Sequence, residues 1–466
     1  MFVTVVVGED VCNGIRLRAW WRVVVTGMTG VAGGFVSGSG QQENGLSELG
    51  FDSEEGPFPF QAFRERTFAA FRHRSFRWVF SGMTVSTVGT WLHQAVVGFL
   101  VQEQFHNPTL TGLVSTVQFA PTLVLGLFGG LLADRYNRRD LLRFLLLFEL
   151  VCSAFLAWAL WKDQASLGVF YSVTFLLGAA FALRGPAQFA LLPSLVAEQE
   201  VSSAISLNSI QFNTGRVIGP FLGGAMLETV GAAATIAVDA CTYLCFLLAL
   251  QFGLTGPKRK KHPRQKGQGG VWEGVRYVWA RPWLLGVFLL LAVQGLCAAH
   301  IITLLPAYAE GDLGLGPSGF GRLLAAIGIG GVAGAMLSAG VVERVPRHLL
   351  GPSVLVANGI VLLGVSAARS LWIVQIMFVF VGVFYIGGRT LLNTAVQMGI
   401  VDEMRGRVSA LWIVVFTGSF ALAAPFWGLL SDRIETSTSY FIGGVACLSF
   451  GGLAFTRLSW LERPAR

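Results

Sequence analysis

Charged side chains are scarce in this chain. They make up 13% of 466 residues, against roughly 25% in an ordinary soluble domain. Hydrophobic residues account for 53%, and the mean hydropathy is +0.62. So few charges cannot cover that much apolar surface in water, which excludes a soluble enzyme, a disordered chain and a nucleic-acid-binding domain. The net charge of +8 comes from basic residues between apolar runs, not from a water-facing stripe. Cysteine is also sparse: the six, at positions 12, 152, 241, 245, 297 and 447, have neither zinc-like spacing nor a secreted disulfide pattern. Cys241 and Cys245, one helical turn apart, read as small core residues. The sequence has no metal-ligand cluster, nucleophile elbow or P-loop, so no cofactor is expected, nor an enzyme, nor an ATP-driven pump in one chain.

What the chain has in abundance is long apolar runs. Twelve segments of about 20–25 residues lie at about 78–101, 111–133, 141–161, 167–189, 205–228, 231–253, 283–307, 319–342, 349–368, 371–394, 408–431 and 438–456. Each matches the ~20 residues that cross a bilayer, and backbone in lipid must satisfy its own hydrogen bonds, so each is expected to be a helix. Residues 1–60 differ. Their short apolar pieces are broken by Glu9, Asp10 and Arg16, which argues against a signal peptide. They read as a disordered tail, with Met28 an alternative initiator. Phe63–Arg77 reads as an amphipathic stretch on the cytoplasmic membrane surface.

Lys and Arg set the orientation. With the N-terminus inside, inner loops hold Arg135, Arg138, Arg139, Lys258–Lys261, Arg344, Arg405 and Arg407, while outer loops hold only Lys162, Arg322, Arg369 and Arg433. The basic run Lys258–Lys266 divides the segments six and six. The expected organisation is a tail (1–60), a six-helix bundle (61–255), a cytoplasmic linker with an amphipathic helix (256–281), a second six-helix bundle (282–457) and a tail (458–466). The basic run also suits contact with anionic lipid.

The halves resemble each other. Arg184 and Arg389 occupy equivalent segment ends 205 positions apart, and Gly223 matches Gly428 at the same offset. Gly130-Leu-Leu-Ala-Asp134-Arg135 ends segment 2 as Gly428-Leu-Leu-Ser-Asp432-Arg433 ends segment 11. Nested repeats of this kind are a transporter architecture.

The loop after segment 2 runs Gly130-Leu-Leu-Ala-Asp134-Arg135-Tyr136-Asn137-Arg138-Arg139. Gly130 permits close helix approach, Asp134 can hold a cation or a helix N-terminus, and Asn137 tolerates a left-handed turn. Here the chain resembles the major facilitator superfamily, whose fold is two pseudo-symmetric six-helix halves. The resemblance implies that Gly130, Asp134, Arg135, Arg138 and Arg139 form a charge latch that breaks on opening inward. Segment 5 carries Gly215, Arg216, Gly219, Pro220, Gly223 and Gly224. The four-residue glycine spacing makes a flat stripe, expected against a helix of the other half, and Pro220 removes a helical hydrogen bond. This resembles the superfamily's antiporter signature and implies export. Further stretches, Phe71–Arg77, Gly89-Thr90-Trp91, Ala204–Ser209 and Asp402–Val408 among them, resemble the branch of enterobactin-type siderophore exporters and macrolide efflux pumps. The arginine motif of drug antiporters is replaced by Arg184 followed by Gly185-Pro186.

Asp239 and Arg216 are charges at bilayer depth, where an unpaired charge costs at least about 2.5–3.5 kcal/mol, so each needs a partner or a wet cavity. The two can pair with each other. Asp239 is then either a proton carrier reset by Arg216 or one arm of a structural pair. Trp91, His93, Gln94, Gln118, Asn208, Gln211 and His300 are mid-membrane polar or aromatic residues that either bond between helices or line a substrate cavity. The implied protein is an exporter of amphipathic small molecules, drug or siderophore class, driven by proton influx. It is expected as a monomer in the cytoplasmic membrane, with protons, substrate and lipid as partners and no nucleic acid. A facilitator or importer of the same fold stays open, as does a receptor without transport.

Overall fold

The computed structural model describes residues 68–254 and 271–456, with only the backbone path for 127–134 and for 190, 198, 271, 339–340, 342–344, 347, 402–403 and 406. The expected tail 1–60, residues 63–67 of the amphipathic stretch, the basic linker at 256–270 and the tail 458–466 lie outside the described residues.

The described chain is helical. In order, the long helices are α1 (Arg74–Phe105), α2 (Pro108–Arg135), α3 (Arg138–Trp161), α4 (Leu167–Leu191), α5 (Val201–Gly253), the short α6 (Val271–Trp279), α7 (Pro282–Ala298), α8 (Pro317–Arg344), α9 (Arg347–Ala367), α10 (Leu371–Val381), α11 (Gly388–Gly399), α12 (Asp402–Ser431) and α13 (Thr436–Thr456). Short helical turns at His300–Thr303 and Leu305–Ala307 continue α7, and a wide turn at Gly382–Gly387 joins α10 to α11 into one crossing. Among the described residues, eleven helices are long and apolar enough to cross a membrane. One of them, α5, has 53 residues, about 80 Å at the helical rise, far more than one bilayer. Its chain reverses at Gly231, where φ is +82° and ψ 171°, a conformation open to glycine because it lacks a Cβ. The two arms of α5 are segments 5 and 6, and twelve crossings result.

The helix ends are built from local chemistry. Asn107 Oδ1 accepts from Leu110 N at 3.0 Å and Ser166 Oγ from Val169 N at 3.4 Å, capping α2 and α4. Asn137 corrects one expectation: its φ is −65°, extended rather than left-handed, and its Oδ1 caps α3 by accepting from Arg139 N at 3.0 Å. Phe68–Arg77 is corrected too. It folds as a tight turn (Ala69–Arg72) and the first turn of α1, with Ala70 and Phe76 buried and Ala70 N donating to Ser203 Oγ at 3.1 Å. Burial of both ties it into the bundle rather than along a membrane surface.

Side chains facing out are apolar. On α3, Phe144, Leu147, Val151, Phe155 and Trp158 are exposed at three- and four-residue spacing, one stripe of the helix surface. Cys241 and Cys245 are likewise exposed rather than core residues; their stripe of α5 looks away from the bundle.

The packing is asymmetric along the bundle. At the end holding the 136–137 connection (the Asn137 face), each half has its own core. Phe76, Leu142, Ala187, Leu207 and Phe246 belong to one, and Leu284, Leu350, Leu391, Val408 and Trp412 to the other. At the opposite end (the His106 face), one core draws on both halves, with Leu92, Phe99 and Phe170 packed together with Leu305, Phe320 and Phe378. α2 and α12 cross tightly there: Thr116 Oγ1 donates to Ala421 O at 2.9 Å, and a Cβ at Gly112 would stand 2.6 Å from Ala424 O. Asp432, just past α12, receives Thr109 N at 3.3 Å and also Thr109 Oγ1, a cap supplied to α2 from the other half. Asp312 caps α13 from within the second half, accepting from Ser437 N at 2.6 Å; burial pushes its carboxyl up and the Ser437 bond draws it back. Asp432→Ala is expected to cost about 0.5–1 kcal/mol, the low end for a lost helix cap because the site is exposed. Thermal unfolding in detergent measures it, and an unchanged midpoint would remove the cap from the account.

Candidate transport site

The loop between α2 and α3 anchors to its own half. Arg139 Nη2 donates to Leu250 O and Gln251 O, each at 3.2 Å. This places a guanidinium on the free carbonyls at the C-terminus of α5, where the helix dipole favours a cation. Arg143 pairs with Asp140 at 3.4 Å, and Arg135 stands 6.0 Å from the Tyr136 ring centroid. Arg138 opens α3. Gly130 and Asp134 lie in the stretch of α2 for which only the backbone path is described.

The glycine stripe faces a different neighbour from the one expected. A Cβ at Gly215 would meet Thr87 Cγ2 at 2.7 Å, at Gly219 Val88 O at 2.6 Å, and at Gly223 Val96 Cγ2 at 3.0 Å. All three lie against α1, within the same half. The other half is met by the next residue round the helix: a Cβ at Gly224 would stand 2.5 Å from Pro317 O and 3.0 Å from Gly321 Cα of α8. One residue is a 100° step on a helix, so the motif serves two neighbours at once. Pro220 is buried within α5, and its carbonyl oxygen lies 3.2 Å from where a Gly321 Cβ would be.

Arg216 and Asp239 do not pair; this corrects the sequence expectation. Asp239 is fully buried, with Oδ2 accepting from Ser153 Oγ at 2.7 Å and 2.9 Å from His93 Nδ1. Its Oδ1 has no partner and faces Gly89, whose Cβ would be 2.8 Å away. Beside it lies an ion pair, Glu149 Oε1 to Arg184 Nε at 3.4 Å, with Arg184 Nη1 donating to Ser86 Oγ at 3.2 Å. Glu149 and Arg184 are 1% and 4% exposed. Glu149 and Asp239 are near enough to repel. Two carboxylates, one guanidinium and one imidazole thus form a single buried group inside the first half. Glu149 escaped the sequence reading although its signal was plain: a lone Glu in the run Leu145–Val151 is an intramembrane charge, which by itself marks a functional position. Arg184 belongs to this group as well, rather than to a solvent-facing helix end.

Arg216 stands elsewhere. Its guanidinium lies 5.0 Å from the Trp91 ring centroid, and Trp91 meets Phe212 edge-on at 5.7 Å. Gln211 Nε2 donates to Met83 O at 3.3 Å and to Thr87 Oγ1, joining α5 to α1. Asn208 is buried on the same arm, Gln94 is half-buried, and Gln118 Oε1 is buried without a partner. His300 is fully buried in the second half, stacked on Trp427 at 4.0 Å, with Nε2 3.2 Å from Ser439 O. These contacts join α7 and its continuation to α12 and α13. Among the described residues no cluster of His, Cys, Asp and Glu has metal-binding geometry.

Comparison with known proteins agrees with this architecture. Residues 65–463 match the family model of transmembrane secretion effectors. The enterobactin exporter EntS of Shigella boydii serotype 4 is 27% identical over 397 residues, covering 84% of this chain and 93% of its own length. Its counterpart in Citrobacter koseri is 26% identical over 396 residues with the same coverage. Among solved structures, a bacterial homolog of the human lysosomal transporter Spinster, inward-facing and unoccupied, superposes with a TM-score of 0.66 at 16% identity, covering 83% of this chain and 96% of that one. A POT family transporter in complex with a thioalcohol-conjugated peptide gives 0.66 at 11% identity, covering 84% and 97%. The chain belongs to the transmembrane secretion effector family of the major facilitator superfamily. It is a multi-pass membrane transporter of small molecules and not an enzyme.

Proposed function

We propose that this transporter exports amphipathic small molecules of the drug or siderophore class from the cytoplasm, alternating access between its halves in exchange for protons. The observation that carries the reading is the asymmetric packing: a core common to both halves at the His106 face, and separate cores at the Asn137 face. The Lys and Arg distribution favours the Asn137 face as the cytoplasmic one in a bacterial inner membrane, which reads this state as open inward. The relatives named as enterobactin exporters favour a bulky cargo. Gly130, Asp134, Arg135, Arg138 and Arg139 act as the latch that closes the Asn137 face in the opposite state. Gly215, Gly219, Pro220, Gly223 and Gly224 keep α5 close to both neighbours during the exchange.

Asp239 carries the proton. Its carboxylate bridges three helices of the first half, with Oδ2 on Ser153 of α3 and His93 of α1, so movement of α1 against α5 alters the contacts of the group that carries the proton. Glu149 and Arg184 share the role, in place of Arg216. The test is purified protein in liposomes with an internal pH-sensitive dye, given amphipathic drugs and siderophores singly. The wild-type protein is expected to move protons only with substrate, and Asp239→Asn to move substrate downhill without protons. Full proton-driven uptake by Asp239→Asn would end the carrier role. Substrate flux without proton movement in the wild type would leave a facilitator.

A further inference from the structure

Arg389, the counterpart of Arg184 at the 205-residue offset, lacks what Arg184 has. The position matching Glu149 is Val354, and among the described residues Arg389 forms no ion pair. Its guanidinium instead lies over Phe416, 3.9 Å from the ring centroid. Arg216, on the other half, lies over Trp91 and likewise has no acidic partner. The two arginines come from opposite halves, are each half-buried, and have neighbours that pack on the same stretch of α8: a Cβ at Gly328 would meet Val217 Cγ2 and one at Gly331 would stand 3.0 Å from Ile386 Cγ2, and the two charges repel one another. Tyr385, beside Ile386 on the wide turn that leads to Arg389, is 2% exposed, and its hydroxyl has no hydrogen-bond partner. Two like charges held together at bilayer depth, with no carboxylate, are uncompensated. Guanidinium forks and a phenolic hydroxyl together are donors for an oxyanion, and Trp91, Phe212 and Phe416 offer ring faces beside them.

We propose that Arg216, Arg389 and Tyr385 form a binding site for the anionic group of an aromatic cargo: a carboxylate, phenolate or sulfonate attached to a ring. The site joins the halves through the ligand, so the cargo itself relieves the repulsion between Arg216 and Arg389. This deepens the exporter reading and rests on it.

Two xanthene dyes of similar shape and opposite charge test it. Binding of fluorescein and rhodamine 123 to the full chain in neutral maltoside detergent is read by fluorescence anisotropy. The wild type is expected to bind fluorescein at least about tenfold more tightly than rhodamine 123. Arg216→Gln and Arg389→Gln are each expected to lose about tenfold for fluorescein, the worth of one charge-assisted hydrogen bond, with no loss for rhodamine 123. Tyr385→Phe loses less. Size-exclusion profiles show which variants fold. If the Gln variants aggregate, Arg216→Lys and Arg389→Lys decide, and they are expected to keep the preference for the anion because they keep the charge. Equal binding of both dyes by the wild type, or no binding of fluorescein, overturns the assignment. So does displacement of fluorescein by phosphatidylglycerol but not phosphatidylcholine, which would give the site to a lipid phosphate. Export of neutral compounds without charge preference would remove this site and leave the exporter standing.

Discussion

Arg184→Gln is expected to destabilise the protein by about 3–5 kcal/mol, because removing one member of a buried ion pair strands the other. Glu149 would lose the cation it pairs with while keeping Asp239 as a neighbour, leaving two carboxylates in a site nearly closed to water. The double variant Arg184→Gln/Glu149→Gln is expected to recover most of the loss, since a neutral pair of similar shape has no stranded charge. Thermal unfolding in detergent reads both. An Arg184→Gln midpoint equal to wild type would mean that Glu149 is already neutral or reaches water, and the buried group would need another account. Both variants are expected to lose proton-coupled transport, which separates the stability of the group from its use.

Gly224→Val should hold the His106 face open. The added Cβ would meet Pro317 O at 2.5 Å and Gly321 Cα at 3.0 Å, both backbone atoms, so relief requires α5 and α8 to part. Overpacking of this kind costs about 1–3 kcal/mol, a factor of about 5–150 in a two-state equilibrium. Spin labels at positions 107 and 311 would report a longer distance in Gly224→Val than in the parent, and transport would fall in step. Gly215→Ala is the contrast: its new Cβ meets Thr87 within the same half, so the label distance is expected to stay. Equal distances in Gly224→Val and the parent would show that this contact does not hold the face shut.

The fold was legible because run length is a strong signal in lipid. Apolar segments such as 141–161 and 408–431 fall inside α3 and α12, and the two segments joined in α5 are legible as 205–228 and 231–253, with the break at Gly231 falling on the first residue of the second. The neighbours of each helix were not legible. Glycines at 215, 219 and 223 announce a close approach, but a four-residue period says only that they share a face, and the helix that fills the face is a tertiary fact. The same limit explains Asp239. Its burial could be read from the segment around it, whereas His93 and Ser153 lie 146 and 86 residues away, with no local pattern linking them. Cys241 and Cys245 failed differently. A small residue in an apolar helix fits core or lipid equally well, because lipid removes the usual cue that outside means polar.

The core common to both halves has a thermal consequence. Parting the halves at the His106 face exposes residues such as Phe99, Leu305 and Phe320 to water, and hydration of apolar surface raises the heat capacity. The enthalpy of opening therefore grows on warming, and the closed arrangement gains ground from an entropy that weakens in the cold. The balance between the open and closed arrangements is accordingly curved in temperature, so a chilled membrane loosens this seal through hydration alone, with no change in any polar contact.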